Sequence, residues 1–358
     1  MRTAFLVALI ALFGTGAALA CADEAYKASP QYDAAECRFR NPPNPDVKPG
    51  RGALEIWTRL LLARKEGTVP VDPIPVRKLT RADLDALDAA GNHVIRLGHS
   101  SHLLKLRGRW WLIDPVFGER ASPFSWLGPK RFHAPPVALA DLPAVDGLIL
   151  SHDHYDHLDT VTIEALTARV QRYFVPLGVG ARLRGMGVPA DRIEEYDWWQ
   201  EGRLGDVKLV ATPAQHFSGR SLGDRNTTLW ASWVIQSGPH RIYYSGDGGY
   251  FPGFRTIGQR HGPIDLALME NGAYDAYWPA VHMTPEETVR AFEDLGARTL
   301  YLVHNSTFDL AFHPWREPLE RVAALAHQRG LDLATPEIGE PLTIGRPRAN
   351  RLWWDGLR

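Results

Sequence analysis

A cluster of histidines and aspartates directly after an apolar run constrains this chain more than any other feature. The run LIL at 148–150 predicts the end of a buried strand, and the segment SHDHYDHLD follows it. On a strand, side chains two positions apart point to one side, so His152 and His154 can aim two imidazoles at one ion. After the chain turns, Asp156 and His157 can serve a second ion nearby.

The chemical nature of these ligands indicates what they bind. Imidazole nitrogen and carboxylate oxygen suit Zn²⁺, and they also suit Fe or Mn. A structural zinc site normally includes cysteine, whereas the chain's two cysteines, Cys21 and Cys37, lie far from this segment. A set of His and Asp ligands leaves a position for water, which favours a catalytic site. The plain alternative is a solvated, histidine-rich turn.

Two ions need more ligands than one segment offers. Three further candidates follow apolar, β-like runs: His216 after VKLVATPAQ, Asp247 after RIYYSG and His304 after TLYLV. Each one alone would be an ordinary polar residue at the edge of a core. Because all three stand where strands end, we expect them to converge on the same site.

The order of the secondary-structure signals indicates the fold class. From residue 93 onward, strand-like runs follow one another, with a hairpin turn predicted at Gly108-Arg109. Helical spacing is present at 54–65 and at 160–170, where Asp159 is a suitable N-cap. Strands in consecutive runs predict an α/β protein of the α+β type, with two sheets and helices outside them.

Two more helices are predicted near the C-terminus. In MTPEETVRAFEDLG, Thr284 is the expected N-cap, Pro285 occupies the first helical position and Glu287 completes a capping box. The segment PLERVAALAHQRG is expected to be a helix that ends at Gly330.

The N-terminal region is expected to stand apart from the folded domain. Residues 1–20 have a positive start, an apolar centre and a small-x-small end, which is typical of an export signal. Residues 21–50 are polar and proline-rich and are expected to form a surface arm, which leaves 51–358 as one folded domain that carries the histidine cluster. Cys21 and Cys37 could form a disulfide in an oxidising compartment, or Cys21 could be acylated. For a bacterial source, we expect a periplasmic or envelope-associated protein, with a lipid anchor at Cys21 as one alternative.

Composition excludes some classes of partner. The 358 residues are 45% hydrophobic and 23% charged, which is typical of a globular protein with a large core. A formal net charge of −1 and the lack of a Lys/Arg run argue against a nuclease and against nucleic acid as a partner.

The pattern HDHYDH resembles the H-x-H-x-D-H signature of the metallo-β-lactamase superfamily. More of the chain resembles the N-acylphosphatidylethanolamine-hydrolysing phospholipase D family. The segments that carry this likeness are LGHSSHLLKLRGRWWLIDPVFGERASPFSWLGPKRF, RYFVPLG, EEYDWWQEG, TPAQHFSGRSLGDRNTTLWASWVI, YYSGDGGYFPGFRTIGQRHGPIDLALMENGAY, HMTPEE and HNSTF. The resemblance implies a four-layer αββα sandwich with two zinc ions at one edge, between the sheets.

The resemblance also assigns the ligands. It implies a first zinc bound by His152, His154 and His216, and a second bound by Asp156, His157 and His304. Asp247 would bridge the two ions.

The implied reaction is attack by a metal-bridging hydroxide on phosphorus. We assign catalytic roles to Asp247, Asp156 and His282, the last because it matches a family position near the substrate phosphate. Ser151 and Asp159 are expected to orient ligand imidazoles, whereas His99 is expected to have a structural role.

Two segments depart from the family's usual pattern. HNSTF at 304–308 stands where His-Trp-Gly-Thr-Phe is common, and GDGG at 246–249 stands where Gly-Asp-Thr-Gly is common. Both departures keep the ligand and change its surroundings.

The leading hypothesis is therefore a zinc phosphodiesterase that acts on a phospholipid such as N-acylphosphatidylethanolamine, or on another small phosphodiester. Alternatives are a lactonase, thioesterase or β-lactam hydrolase of the same fold, and a non-enzymatic metal- or lipid-binding envelope protein. A phospholipid substrate implies peripheral membrane contact, to which Phe124, Trp126 and the pair Trp198–Trp199 could contribute. Packing in the core is the expected role for each of these residues taken alone. The resemblance further implies a homodimer.

Overall fold

The computed structural model describes residues 24–44, 50–348 and 350–358. In these ranges the strands are β1 (Tyr32–Asp33), β2 (Arg38–Phe39), β3 (Asn92–Gly98), β4 (Ser101–Leu106), β5 (Arg109–Ile113), β6 (Val145–Ile149), β7 (Val170–Pro176), β8 (Ile193–Tyr196), β9 (Glu201–Leu204), β10 (Val207–Thr212), β11 (Ser232–Ser237), β12 (His240–Tyr244), β13 (Ile264–Glu270), β14 (Ala297–Val303), β15 (Asp332–Ala334) and β16 (Leu342–Thr343).

The α-helices in the same ranges are α1 (Glu24–Lys27), α2 (Ala53–Leu62), α3 (Arg81–Asp85), α4 (Thr160–Leu166), α5 (Val179–Gly185), α6 (Gly253–His261), α7 (Pro285–Leu295) and α8 (Glu317–Arg329). Two 3₁₀ turns, at Leu139–Asp141 and Ala190–Arg192, complete the regular structure of the described chain. None of the helices in this part of the chain is long and apolar enough to cross a membrane.

Two mixed sheets dominate the described structure, and each contains seven strands. The first has the order β16-β3-β4-β5-β6-β7-β8, antiparallel from β16 to β5 and parallel from β5 to β8. The second has the order β15-β14-β13-β12-β11-β10-β9, antiparallel from β9 to β12 and parallel from β12 to β15. The strand β6 belongs to the first sheet, and β10, β12 and β14 belong to the second. The predicted metal ligands therefore follow strands of both sheets.

Three apolar layers define the architecture. Between the sheets, Trp111 and Phe174 of the first pack in one cluster with Trp233 and Ile235 of the second. A second cluster joins the first sheet to α4 and α5, and a third joins the second sheet to α6, α7 and α8. The order helix, sheet, sheet, helix is the four-layer αββα sandwich, so the predicted fold class is confirmed.

Local signals in the sequence identified several boundaries. Thr284 caps α7 and forms a capping box with Glu287, as predicted. The final helix ends at Gly330, which has a left-handed φ of 64°. The hairpin turn between β4 and β5, however, consists of Arg107 and Gly108, one position before the prediction, because these two residues take the positive φ angles.

The N-terminal arm differs from the expected surface tail. Its residues 24–44 pack on the domain, and Tyr26 and Phe39 are buried in the cluster between the two sheets. Cys37 is disulfide-bonded, in agreement with one of the two expectations for the cysteines. The predicted export signal and Cys21 lie outside the described residues.

Candidate metal centre

The predicted ligands lie just beyond the carboxyl ends of four strands. The HDHYDH segment follows β6, and His304 directly follows β14. Asp247 comes three residues after the end of β12, and His216 comes four residues after the end of β10. Strand ends of both sheets thus meet at one edge of the sandwich, which is where open α/β sheets commonly bind ligands.

The first group of ligands consists of three imidazoles. Nε2 of His152 lies 2.8 Å from Nδ1 of His154, and Nε2 of His216 lies 3.3 Å from the same atom. The other ring nitrogen of His152 contacts Ser151 Oγ at 2.9 Å, and that of His216 contacts the Val281 carbonyl at 3.0 Å. These outer contacts fix the rings so that three nitrogens face one point, which is the arrangement of a three-histidine cation site.

The second group contains Asp156, His157 and His304, as predicted. Nε2 of His304 lies 3.3 Å from Asp156 Oδ2, and Nε2 of His157 lies 3.6 Å from the same oxygen. His99 also belongs to this group, since its Nε2 lies 3.1 Å from Asp156 Oδ2. His99 thus contacts a predicted ligand, which is compatible with the structural role expected for it, and its backbone has a positive φ of 49°.

Asp247 stands between the two groups. Its Oδ2 atom lies 2.9 Å from Nε2 of His304 and 3.0 Å from Nε2 of His157, both in the second group. The same oxygen lies 3.8 Å from Nε2 of His152 and 3.9 Å from Nε2 of His216, both in the first. One carboxylate oxygen is therefore within reach of both sites, as a bridging ligand requires.

Unsatisfied buried atoms show that the donor set fits cations. Oδ1 of Asp247 is buried without a hydrogen-bond partner, and Nε2 of His157, although 3.0 Å from Asp247 Oδ2, lacks the geometry of a hydrogen bond. Leaving such groups unpaired is destabilising, and a cation at each group would satisfy them. Imidazole and carboxylate ligands with no thiolate suit a pair of divalent ions with an open position.

The first group is electrically neutral at neutral pH. Burial, together with the neighbouring imidazoles, holds the pKa values of His152 and His216 well below the usual range. Burial also lowers the pKa of His154. Neutral imidazoles offer free lone pairs, so this group is ready to bind a cation.

The second group behaves differently because it contains carboxylates. Burial by itself would lower the pKa of His157 and His304, but Asp247 and Asp156 outweigh it. They raise the pKa of His157 well above its usual range and that of His304 to about 9. Burial opposes ionisation of the two carboxylates, yet the adjacent imidazoles hold their pKa values well below normal. A bound cation would take the place of the imidazole protons here.

Asp114 contacts residues of the metal centre from the protein interior, and the sequence analysis missed it. It is fully buried, and its Oδ2 accepts hydrogen bonds from Nδ1 of His157 at 2.7 Å and from the Tyr244 hydroxyl at 2.6 Å. Its two oxygens also accept the backbone N–H and the hydroxyl of Ser151. The available signal was its place after the apolar run RWWLI, a strand end like those of the ligands.

The roles expected for Ser151 and Asp159 have different outcomes. Ser151 contacts Nδ1 of His152 and so orients a ligand imidazole, as expected. Asp159 occupies the N-cap position of α4, but its carboxylate accepts hydrogen bonds from the backbone N–H of Gly118 and from the Thr162 hydroxyl. The expectation that Asp159 orients a ligand was wrong, because its carboxylate is bound to Gly118 and Thr162 and not to a ligand imidazole.

His282 lies beside the cluster. Its ring centroid is 5.0 Å from that of His304 and 5.3 Å from that of His216. Nδ1 of His282 lies 3.0 Å from Oε1 of Glu270, a fully buried carboxylate whose pKa is raised by burial. This contact fixes the imidazole at the wall of the site.

A cavity of about 640 Å³ opens directly onto the ligands. Its metal-side wall includes Asp156, Asp247 and His304, and His282 lies in the same wall. The remaining lining is largely apolar, with two cationic side chains, and includes Ile56, Phe217, Tyr277, Trp278, Leu310, Arg51 and Arg225. The cavity has the size of a site for a small molecule or part of a lipid.

The two departures from the family pattern have local explanations. Asn305 Oδ1 accepts a hydrogen bond from the buried Arg96 at 3.0 Å, and Arg96 also donates to the carbonyl of His99. At Gly248, a Cβ atom would lie 3.1 Å from the carbonyl oxygen of Gln215. A side chain at 248 would therefore require the backbone at Gln215 to shift by a few tenths of an ångström.

The aromatic residues expected at a lipid surface separate into two pairs. Trp126 is exposed (72%), as is Phe124, and their rings are 5.5 Å apart. Trp198, by contrast, is buried and donates to the carbonyl of Trp230, while Trp199 is partly buried and stacks on His261. The pair 198–199 is therefore not a surface patch, and the core packing expected for each residue alone is confirmed for Trp198.

Comparisons with known proteins agree with the site. The family described as "Beta-lactamase superfamily domain" matches residues 109–305, more than half of the chain. The Mycobacterium tuberculosis protein Rv0906 is 47% identical over 306 residues, covering 84% of this chain and 80% of that protein. N-acyl-phosphatidylethanolamine-hydrolyzing phospholipase D 1 of Caenorhabditis elegans is 32% identical over 326 residues, covering 84% and 91%.

Among solved structures, Igni18, a metallo hydrolase from the archaeon Ignicoccus hospitalis, has the same fold. It aligns with a TM-score of 0.54 at 19% identity, covering 72% of this chain and 99% of Igni18.

Proposed function

The chain belongs to the metallo-β-lactamase superfamily, and we propose that it is a two-zinc phosphodiesterase, similar in reaction to the N-acylphosphatidylethanolamine-hydrolysing phospholipases D. The observation that carries the proposal is the position of Asp247 Oδ2, within 3.9 Å of imidazole nitrogens from both ligand groups. A pair of divalent cations bound here would supply Lewis acidity and an activated water for hydrolysis.

The protein's own residues have distinct roles in this proposal. His152, His154 and His216 would hold one cation, and Asp156, His157 and His304 the other. Asp247 sets the separation between the two positions, since the same oxygen faces both groups. Asp156 contributes both as a ligand and by lowering the positive charge of the second group.

His282 is the residue best placed to contact a phosphate oxygen. It lines the cavity, and its Nδ1 is engaged by Glu270, which leaves its other ring nitrogen for the substrate. A hydrogen bond from this nitrogen to a phosphate oxygen, or a proton transferred to the departing oxygen, would assist cleavage.

The cavity supports a substrate with both apolar and anionic parts. Ile56, Phe217 and Trp278 offer apolar contact close to the ligands. The Arg225 guanidinium lies 4.4 Å from the Phe217 ring centroid, and its pKa is lowered by burial and by the nearby Arg38. A cationic side chain beside an apolar wall suits an acylated phosphodiester.

The proposed substrate suggests where the protein works. Phe124 and Trp126 are exposed and adjacent, and we propose that they contact the surface of a bilayer. The N-terminal sequence supports export to the periplasm or cell envelope for a bacterial source. A homodimer is proposed from the family resemblance alone.

Substrate screening tests the proposal. Zinc-loaded protein is assayed against N-acylphosphatidylethanolamine, a lactone, a thioester and a β-lactam, alongside Asp247→Asn and the matched surface variant Asp206→Asn. We expect phospholipid turnover by the wild type and by Asp206→Asn, whose carboxylate is half exposed, and at least a hundredfold loss in Asp247→Asn.

Other outcomes would change the assignment. Rapid opening of the lactone or β-lactam without phospholipid turnover would contradict the phosphodiesterase. Turnover of none of the four substrates, by the wild type as by Asp247→Asn, would point to a binding protein. Repeating the assay with Fe and Mn tests zinc, since all three metals accept these ligands.

A further inference from the structure

The tetrapeptide Asn41–Asn44, NPPN, forms a strap against one of the metal-ligand candidates. The Oδ1 atom of Asn41 accepts the backbone N–H of His216 at 2.9 Å, and its Nδ2 donates to the His216 carbonyl at 2.8 Å. A single side-chain amide thus holds both backbone groups of the ligand residue. The sequence analysis placed this segment in a surface arm and gave it no role at the metal centre.

The other end of the strap holds the neighbouring residue. Asn44 Nδ2 donates to Gln215 Oε1 at 2.6 Å and to the Tyr250 carbonyl at 2.9 Å. Gln215 in turn donates to the Ala280 carbonyl at 3.0 Å. Between the two asparagines, Pro42 and Pro43 have restricted φ angles, so little freedom remains for the strap.

His216 needs such support because it lies on a long irregular loop. It lies in residues 213–231, which contain neither helix nor strand, whereas His304 directly follows β14. A ligand on an irregular loop is located less accurately than one at a strand end. The hydrogen bonds from the strap supply part of the order that regular structure gives elsewhere.

The strap is itself anchored close to Asn41. Phe39, two residues earlier, is fully buried between the sheets, and its backbone N–H donates to the Asn226 carbonyl at 2.8 Å. The backbone N–H of Asn226 donates to the Ser218 carbonyl, so the anchor reaches the same irregular loop. The backbone next to Asn41 is therefore already fixed by Phe39, so the hydrogen bonds of Asn41 form without first ordering a flexible segment.

We propose that Asn41 is a positioning residue of the metal centre, which aims Nε2 of His216 at the first cation position by holding the backbone of His216. Residue 41 lies outside the family match at 109–305, so the proposal extends the functional unit to the arm. It rests on the metal centre alone and holds whichever substrate the centre acts on.

Metal affinity tests the proposal without any substrate. Zinc affinity is measured for each of the two positions by competition with a chromogenic chelator, and Co²⁺ absorption reports the geometry. The variants are Asn41→Ala, Asn41→Asp, which keeps only the acceptor, and the control Gln31→Ala. Gln31 lies on the same arm, and its amide donates to Asp197, away from the ligands.

We expect Asn41→Ala to bind one of the two zinc ions about tenfold more weakly and to change the Co²⁺ spectrum, with an intermediate effect in Asn41→Asp. Gln31→Ala should match the wild type. Unchanged affinity and spectrum in Asn41→Ala would overturn the proposal, as would an equal loss in Gln31→Ala, which would indicate general arm stability. If Asn41→Ala fails to fold, the comparison of Asn41→Asp with Gln31→Ala decides the matter by the same criteria. None of these readouts depends on phosphodiesterase activity, so they are independent of the function proposed above.

Discussion

Asp114 holds His157 of the second ligand group through a buried hydrogen bond. Its carboxylate accepts four hydrogen bonds while fully buried, from Ser151 twice, from His157 and from Tyr244. Asp114→Asn would place an NH₂ group against donors. We expect a 10- to 100-fold loss of metal affinity and a decrease of roughly 1–3 kcal/mol in the free energy of unfolding.

Tyr244→Phe is the graded control for this prediction, because it removes one of the four donors and leaves the carboxylate in place. Metal competition and urea unfolding of the two variants give the comparison. Wild-type metal affinity in Asp114→Asn would show that the carboxylate does not orient His157.

A buried histidine outside the metal centre predicts sensitivity to acid. His102 is fully buried, with Nδ1 2.9 Å from the Ser100 carbonyl, and burial together with the charge of Arg96 lowers its pKa to about 3. The unfolded chain binds this proton near pH 6.5, whereas the folded chain does not. Stability attributable to His102 is therefore complete above pH 6.5 and decreases as the pH falls toward 3.

The expected slope is up to about 1.4 kcal/mol per pH unit for this one residue. His102→Phe removes the titrating group, so its free energy of unfolding should fall less steeply between pH 6 and pH 4. Urea unfolding of metal-free protein at several pH values measures this. Identical slopes for the two proteins would mean that His102 is protonated equally in both states.

At the scale of elements, the N-terminal arm is part of the core. Phe39 of β2 is fully buried between the sheets, whereas Phe124 is 43% exposed in a loop. We expect Phe39→Ala to lower the free energy of unfolding by about 3–5 kcal/mol, and Phe124→Ala to change it by less than about 1 kcal/mol. If both variants changed the free energy of unfolding by the same small amount in denaturant unfolding, the arm would be a surface tail.

Positions of ligands were predictable because strand ends have a clear sequence signal. His152, His216, Asp247 and His304 each follow an apolar run, and sheets align the ends of such runs at one edge. The αββα layers followed from consecutive strands and from the family resemblance. The caps of α7 were equally visible, since Thr284 and the residues after it form a local motif.

What the sequence analysis missed depends on contacts between distant residues. Asn41 and His216 are 175 positions apart, and no local pattern relates NPPN to the ligand loop. Asp114 resembles an ordinary strand-end residue until folding brings it to the centre. Asp159 was assigned wrongly because its neighbours along the chain, and not its contacts, suggested the role.

At the scale of the whole molecule, metal binding and folding should be coupled. The ligands come from both sheets, so the unfolded chain cannot present them together, and a cation that binds only the folded state stabilises it. We expect chelation to lower the melting temperature by several degrees and zinc to restore it. Asp247→Ala should show a smaller zinc-dependent shift, as measured by calorimetry. An identical shift in this variant would place the stabilising zinc elsewhere.

The most direct test of the central claim is an anomalous difference map from zinc-loaded crystals, recorded at the zinc absorption edge. The account predicts two peaks on either side of Asp247, one among His152, His154 and His216 and the other beside Asp156, His157 and His304. A single peak, or peaks away from Asp247, would contradict a shared two-cation centre.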